Sequence, residues 1–215
     1  MRTNPFPGVF IAVEGIDGSG KSDQVGKTVA WISGRYPKRN ILKTHEPQDT
    51  GFGARIHNML AGKELAPQDP LAFQELYVRD RRDHCESVII PHLKKKNSVV
   101  VCDRYFLSTF AYGMAAGASF EDITRLHEEI LGDLFFAPNA TLLIVADADV
   151  ALARVRGRVK EDDMEYFEKK EGFMARTARC YEEITGRFPN VYSIPGNGTR
   201  EEAAAAGQAV LSKLF

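Results

Sequence analysis

Val9-Phe10-Ile11-Ala12-Val13-Glu14-Gly15-Ile16-Asp17-Gly18-Ser19-Gly20-Lys21-Ser22 is the stretch that decides the fold class. Its first five residues form a continuous apolar run of strand length, as in a parallel strand covered by helices on both faces. Residues 15–22 then match GxxxxGK[ST] without a mismatch. Glycines let such a loop turn tightly and aim several N–H groups at a phosphate at the head of the next helix. In that reading Gly15, Asp17, Gly18, Ser19 and Gly20 form the cradle, Lys21 reaches the terminal phosphates and the Ser22 hydroxyl holds Mg²⁺. The plain alternative is a Gly-rich turn with an exposed lysine. A buried-type strand before the loop and an amphipathic segment from Lys21 to Ser33 after it favour the phosphate loop.

Outward from this loop, strands and helices alternate. Further apolar runs stand at Ile41-Leu42, Val99-Val100-Val101-Cys102, Leu142-Leu143-Ile144-Val145 and Val191-Tyr192-Ser193-Ile194, the last closed by Pro195. Helical periodicity covers roughly Leu71 to Lys95, Ile123 to Leu131, Ala151 to Arg156, Glu165 to Arg187 and Arg200 to Leu214. Thr199, followed three residues later by Glu202, spells a capping box at the head of the last helix. The alternation predicts a doubly wound α/β domain with a parallel sheet; with the loop at 15–22 it reads as the P-loop NTPase type, three layers with a five-stranded parallel sheet and helices on both faces.

The 215 residues suit one domain spanning 1–215, and 44% apolar against 27% charged residues can bury a core. Lys+Arg 28 against Asp+Glu 29 gives a net charge of −1, so the global basic footprint of a nucleic-acid polymer binder is absent. Cys85, Cys102 and Cys180 are odd in number and widely spaced, which reads as reduced thiols in a cytoplasmic protein rather than a disulfide framework or zinc site. No apolar run reaches bilayer length, and a core strand beginning by Val9 leaves no place for a secretory signal.

A second acid supports the metal reading. The run Val99 to Cys102 ends at Asp103, as a Walker B strand does, and a carboxylate there would share Mg²⁺ with Ser22. Arg104 follows at once, at the carboxyl end of a strand where α/β sheets bind ligands, and a guanidinium there can clamp phosphate. For Asp103 a simple turn or cap is the alternative; for Arg104 it is a surface salt bridge.

Taken in order, the phosphate loop at 15–22, Glu46-Pro47 after the second strand, and Asp103-Arg104-Tyr105 with Ser108 resemble the motifs of the thymidylate kinases. The resemblance covers nearly the whole chain. It implies that ATP phosphorylates dTMP with Mg²⁺, and that the protein is a homodimer. It also assigns roles by matching position. Asp17 contacts the sugar 3′-hydroxyl, Tyr77 stacks on the pyrimidine, and Arg81 and Thr109 bond the base. Tyr112 crowds the ribose 2′ position, while Glu46, Pro47, Arg104 and Ser108 complete the acceptor site. A lid at about 154–165 closes over ATP, with Arg158 first and Arg156 second as the arginine that joins Lys21, Arg104 and Asp17 in the catalytic set; Arg154 braces the helix.

The chain departs from the family pattern in four places. His45 stands where an Arg usually helps hold the acceptor phosphate, Gln48-Asp49-Thr50 replaces Gly-Gly-Thr, Phe110 replaces a Gln found in some bacterial members, and Asp163 replaces a lid Arg. Rival readings are a kinase for another pyrimidine nucleotide or a nucleoside, whose hydroxyl would need Glu14 or Asp17 as a base, and a nucleotide-dependent switch. The switch lacks an Asn-Lys-x-Asp guanine-reading segment.

Overall fold

A computed structural model describes residues 1–157 and 172–215 of the chain. In chain order its elements are β1 (Arg2–Thr3), β2 (Val9–Glu14), α1 (Lys21–Arg35), β3 (Asn40–His45), α2 (Gly51–Leu60), α3 (Pro70–His84), α4 (Ile90–Leu93), β4 (Ser98–Asp103) and α5 (Phe106–Ala116). Then come α6 (Phe120–Leu131), β5 (Phe136–Ala137), β6 (Ala140–Val145), α7 (Ala148–Arg156), α8 (Phe173–Thr185), β7 (Val191–Pro195) and α9 (Arg200–Leu211). The expected five-stranded sheet is present, all parallel, in the order β3-β4-β2-β6-β7. A small parallel pair, β1 with β5, stands apart from it.

Alternation along β2 divides the core. Phe10 and Ala12 face a large apolar layer that includes Val78, Phe106, Phe110 and Tyr181 of α3, α5 and α8. Ile11 and Val13 face the second layer, with Val25 and Ile32 of α1 and Leu211 of α9. β2, β4 and β6 are covered on both faces, which is why they read as unbroken apolar runs rather than alternating ones. The capping box forms as expected: Thr199 Oγ1 accepts from the Glu202 amide at 3.2 Å and Glu202 accepts from the Thr199 amide at 2.8 Å.

Two helices were not expected. In α5, Phe-Leu-Ser-Thr-Phe-Ala-Tyr-Gly-Met-Ala-Ala is apolar on nearly every face because it runs between α3, α6 and α8, so it shows no amphipathic period. Short α2 carries Gly51 and Gly53, poor helix formers, and holds by burying Ile56 and Met59. The long segment read from Leu71 to Lys95 is α3 and α4 joined through one π-helical stretch, Cys85–Ile89. Among the described residues no helix is long and apolar enough to cross a membrane.

Candidate active site

β2 delivers Glu14 to the sheet edge and the chain turns through Gly15, at φ +143°, into the loop. Gly18, at φ +78°, is required twice over, since a Cβ there would lie 2.1 Å from the Ala151 carbonyl oxygen. No side chain of any kind fits at that position. Left-handed Gly20 then caps α1, so the loop and the first turn of a 15-residue helix present their amides together. The Ser19 hydroxyl is buried and has no hydrogen-bond partner among the described residues, as expected of a group built to meet a ligand oxygen.

Lys21 is 7% exposed; its Nζ donates to the Ile16 carbonyl at 2.8 Å and lies 3.5 Å from Asp17 Oδ1. Burial and the neighbouring Arg104 charge push its ammonium below the ordinary lysine range, while Asp17, Asp103 and Glu14 oppose that. Ser22 Oγ donates to Asp103 Oδ2 at 2.9 Å, so the two expected metal ligands sit together across 81 residues of sequence. A hydroxyl and a carboxylate are hard oxygen donors of the kind Mg²⁺ takes beside substrate phosphates.

Two cavities meet on this loop. One, of about 430 Å³, is lined by Gly18, Ser19, Gly20, Arg154, Thr199 and Arg200. The other, of about 310 Å³, is lined by His45, Glu46, Pro47, Tyr77, Ser108 and Thr109 together with Arg104 and Tyr112. Asp17, Lys21 and Ser22 belong to both walls. The two chambers thus share a boundary made of the residues suited to phosphate and metal.

Arg104 occupies the left-handed region at φ +66°, a conformation that costs a non-glycine residue about 1 kcal/mol or more. Its guanidinium is held by four bonds. NH1 donates to the Gly15 carbonyl at 3.1 Å and Ser108 Oγ at 3.0 Å; NH2 donates to Asp17 Oδ1 and to the Tyr112 hydroxyl at 3.2 Å. Tyr112 in turn donates to Asp17 Oδ2 at 2.7 Å, and its ring lies under the Arg104 guanidinium at 5.1 Å. Burial alone would raise the Asp17 carboxyl, but Arg104, Lys21 and the Tyr112 hydroxyl together drive it far below the usual carboxylate range. A carboxylate so stabilised is a poor proton acceptor.

Glu14 is fully buried and spent internally, and burial raises its pKa. It accepts from the Tyr105 and Ser108 amides, the Ser108 hydroxyl and the Tyr181 hydroxyl, and it lines neither cavity. Neither acid that a hydroxyl acceptor would need as a base is therefore equipped for the task.

Every expected acceptor-site residue lines the 310 Å³ cavity except Arg81. Arg81 is 1% exposed and stands behind two residues of the wall, bonding Glu46 Oε2 at 2.7 Å and Thr109 Oγ1 at 3.1 Å, with His127 Nε2 at 3.0 Å on its other side. It holds Thr109 and Glu46 in the wall rather than forming the wall. Glu46, cis to Pro47, also bonds His84 Nδ1 at 3.0 Å, and Thr44 Oγ1 meets His84 Nε2 at 2.8 Å. Cys102 lies within 4.8 Å of Glu46 and His84. These donor atoms are already committed to Arg81, Thr44 and, through the thiol at 3.0 Å, the Arg104 carbonyl, so the cluster is a hydrogen-bond network in place of a metal centre.

Asp80, His84 and His127 carry no motif of their own and were not singled out in the sequence; only their distance partners reveal them. Of the departures, His45 lies on the acceptor cavity 3.4 Å from Asp49, whereas Phe110 is core, stacked on His127 at 4.9 Å. Arg154, expected to brace its helix, donates to the Gly196 carbonyl at 2.8 Å and lines the 430 Å³ cavity. Arg156 is exposed at the end of α7 and lines neither of these two cavities; Arg158 and Asp163 lie outside the described residues.

This buried network has a pH signature. His127 donates from Nδ1 to the Ile123 carbonyl at 2.8 Å and accepts from Arg81; burial and the Arg81 charge lower its pKa to about 3. Because the folded value lies below the unfolded one, stability falls as pH drops below about 6.5, by about 2 kcal/mol at pH 5. Asp80 runs the other way: burial and the Glu46 charge raise it to about 6 against the Gln48 amide bond, so its penalty grows as pH rises from about 4 to 6. The two slopes oppose each other in that window. Asp80→Asn should raise stability at pH 8 by about 1–3 kcal/mol, leave it unchanged near pH 4, and steepen the acid loss between; denaturant melts across pH 4–8 check this.

Comparison with known proteins agrees with the site. A family model described as thymidylate kinase matches residues 13–204. The chain is 37% identical over 214 residues, 97% of its length and 96% of the relative's, to a thymidylate kinase of Cereibacter sphaeroides. It is 32% identical, over 97% of the chain and 98% of the relative, to a thymidylate kinase of Caldicellulosiruptor saccharolyticus. A probable thymidylate kinase of Pyrococcus abyssi is 33% identical over 73% of the chain and 75% of its own length. With a phosphate loop shared by two chambers and a match over most of its length, the chain belongs to the thymidylate kinase family.

Proposed function

We propose that this kinase transfers the γ-phosphoryl group of ATP to dTMP, giving ADP and dTDP. The observation that carries the reading is the shared wall: Asp17, Lys21 and Ser22 stand between two nucleotide-sized cavities, which is where a group passing from one nucleotide to another must travel. ATP enters the chamber of Arg154, Thr199 and Arg200, with its phosphates on the loop; dTMP enters the chamber of Tyr77, Thr109 and Tyr112. The attacking atom is a phosphate oxygen, already anionic at neutral pH, so no side-chain base is required. The committed state of Glu14 and the depressed pKa of Asp17 agree with that and weigh against a nucleoside acceptor. Ser22 and Asp103 would hold Mg²⁺, which would supply charge neutralisation of the donor phosphates.

The chain's own part is positioning and electrostatics. Lys21 neutralises charge on the transferring group, and Arg104, fixed by its four bonds, presents positive charge at the junction of the chambers. Asp17 faces the sugar 3′-hydroxyl. ADP release with a panel of dTMP, dUMP, dCMP, dGMP, TMP and UMP tests the reading; turnover slow and indifferent to every acceptor would instead be the mark of a nucleotide-dependent switch. The protein is proposed to act as a homodimer in the cytoplasm. Its three unpaired cysteines suit a reducing compartment, and sedimentation equilibrium checks the dimer.

Two roles have their own tests. Tyr112→Ala removes the wall against a 2′-hydroxyl and should shrink the dTMP-to-ribonucleotide ratio of kcat/KM by about tenfold, while Tyr112→Phe keeps the ring and the ratio. An unchanged ratio in the alanine variant makes Tyr112 a packing residue. The lid arginine is argued from Gly18, since no charge can be placed on the loop at that position. Arg158→Ala should therefore lower kcat by about tenfold or more with ATP affinity little changed, the pattern of a contact made in the transition state. Turnover within about twofold in both Arg156→Ala and Arg158→Ala would sink the idea.

A further inference from the structure

The acceptor cavity contains a polar group that no part of the mechanism uses. Gln74, on α3 one turn before Tyr77, is 1% exposed and lines that cavity beside Tyr77, Thr109 and Tyr112. Its Nε2 is buried without a hydrogen-bond partner among the described residues. Leaving a buried amide donor unpaired is costly, so such a group in a cavity wall calls for a partner brought by the ligand.

The surroundings keep this amide in place. Packed directly against it, Gly113 of α5 carries no side chain, and a Cβ there would stand 2.9 Å from Gln74 Cγ. The glycine makes the room that Gln74 fills. Thr109, on the same helix as Gly113, accepts from Arg81 at 3.1 Å, which leaves its own O–H free to donate. The wall of this cavity therefore offers two donors, Gln74 Nε2–H and Thr109 O–H, that have no acceptor among the described residues. A pyrimidine with oxygens at both the 2- and 4-positions supplies two acceptors on one planar ring.

We infer that Gln74 is a base-reading residue, donating from its terminal amide to a ring carbonyl of the acceptor nucleotide while Tyr77 covers the ring face. The inference rests on the dTMP reading proposed above. The competing account is structural. Gln74 also borders a smaller cavity of about 140 Å³ with Pro67, Gln68 and Arg176, where a bound water could satisfy the amide without any ligand.

The test compares two acceptors, dTMP and the deoxynucleotide of 2,4-difluorotoluene, which has the shape of thymine but only weak hydrogen-bond acceptors. They are assayed with the unaltered enzyme, Gln74→Leu and Gln74→Met. Loss of a buried hydrogen bond to the substrate should raise KM for dTMP by about 10- to 100-fold in both variants, leave kcat within about threefold, and shift the difluorotoluene acceptor less than about twofold. Thermal melting without ligand should show both variants at least as stable as the parent, because an unpaired buried amide has been removed. Equal losses on the two acceptors, or none on either, overturn the assignment and leave Gln74 as a packing or water-bound residue. Failure of the unaltered enzyme to turn over dTMP at all overturns the function itself, and the assignment falls with it.

Discussion

Lys21→Ala lowers kcat by on the order of 10³-fold or more and leaves the protein folded. The first half follows from where the ammonium stands, on the wall common to both chambers and at the head of α1, where charge on the transferring group must be met. The second half follows from how it is held. Lys21 is buried with burial itself opposing its charge, and its protein contacts are one carbonyl at 2.8 Å and one carboxylate at 3.5 Å. Asp17 keeps Arg104 and Tyr112 when the lysine goes, so no orphaned charge is created. Alanine is also a better helix former at the first position of α1. Circular dichroism and a thermal melt should match the parent while ADP release with dTMP disappears. Near-normal turnover would refute the phosphate-loop assignment outright.

The parts of this protein that could be read from residues alone are those set by local pattern. Apolar runs marked β2, β4 and β6 strongly because both their faces are buried, and the edge strands β3 and β7 more weakly, while the loop at 15–22 announced itself through glycines that the backbone needs at Gly15 and Gly18. Helix α5 escaped for the converse reason: a helix buried all round has no period to detect. The acceptor site was legible residue by residue only through a family resemblance, which carries no record of how Arg81 is held. Spacing put Arg81 on the face of Tyr77, but a charge partner 35 residues away, Glu46, turned the guanidinium into the interior. Gln74 has no motif at all; its significance comes from a missing partner and from a glycine 39 positions on that makes room for it. Long-range pairing decides such cases, and single-sequence periodicity carries no record of it.

Arg104 sets the sharpest test of the junction. Arg104→Ala should lower kcat/KM for dTMP by on the order of 10²–10³-fold, and Arg104→Lys should do nearly as badly. A lysine ammonium has three donors at a single point, whereas the guanidinium reaches Gly15, Ser108, Asp17 and Tyr112 in two directions at once. Its loss also releases Asp17, whose low pKa depends on that charge before any other attraction, so the carboxyl rises and the Tyr112 hydroxyl loses its fixed neighbour. Part of the damage is thus done through Asp17, and the two residues should behave as a unit. Asp17→Asn combined with Arg104→Ala should be little worse than Arg104→Ala alone, by less than about threefold, where independent sites would multiply their losses. Backbone strain gives a control within the same position. Residue 104 sits at φ +66°, so Arg104→Gly should melt higher than Arg104→Ala by about 1 kcal/mol while being equally inactive, which separates the loss of charge from any loss of fold. Turnover of the lysine variant within about threefold of the parent would show that a point charge suffices, and would remove the fixed guanidinium from the mechanism.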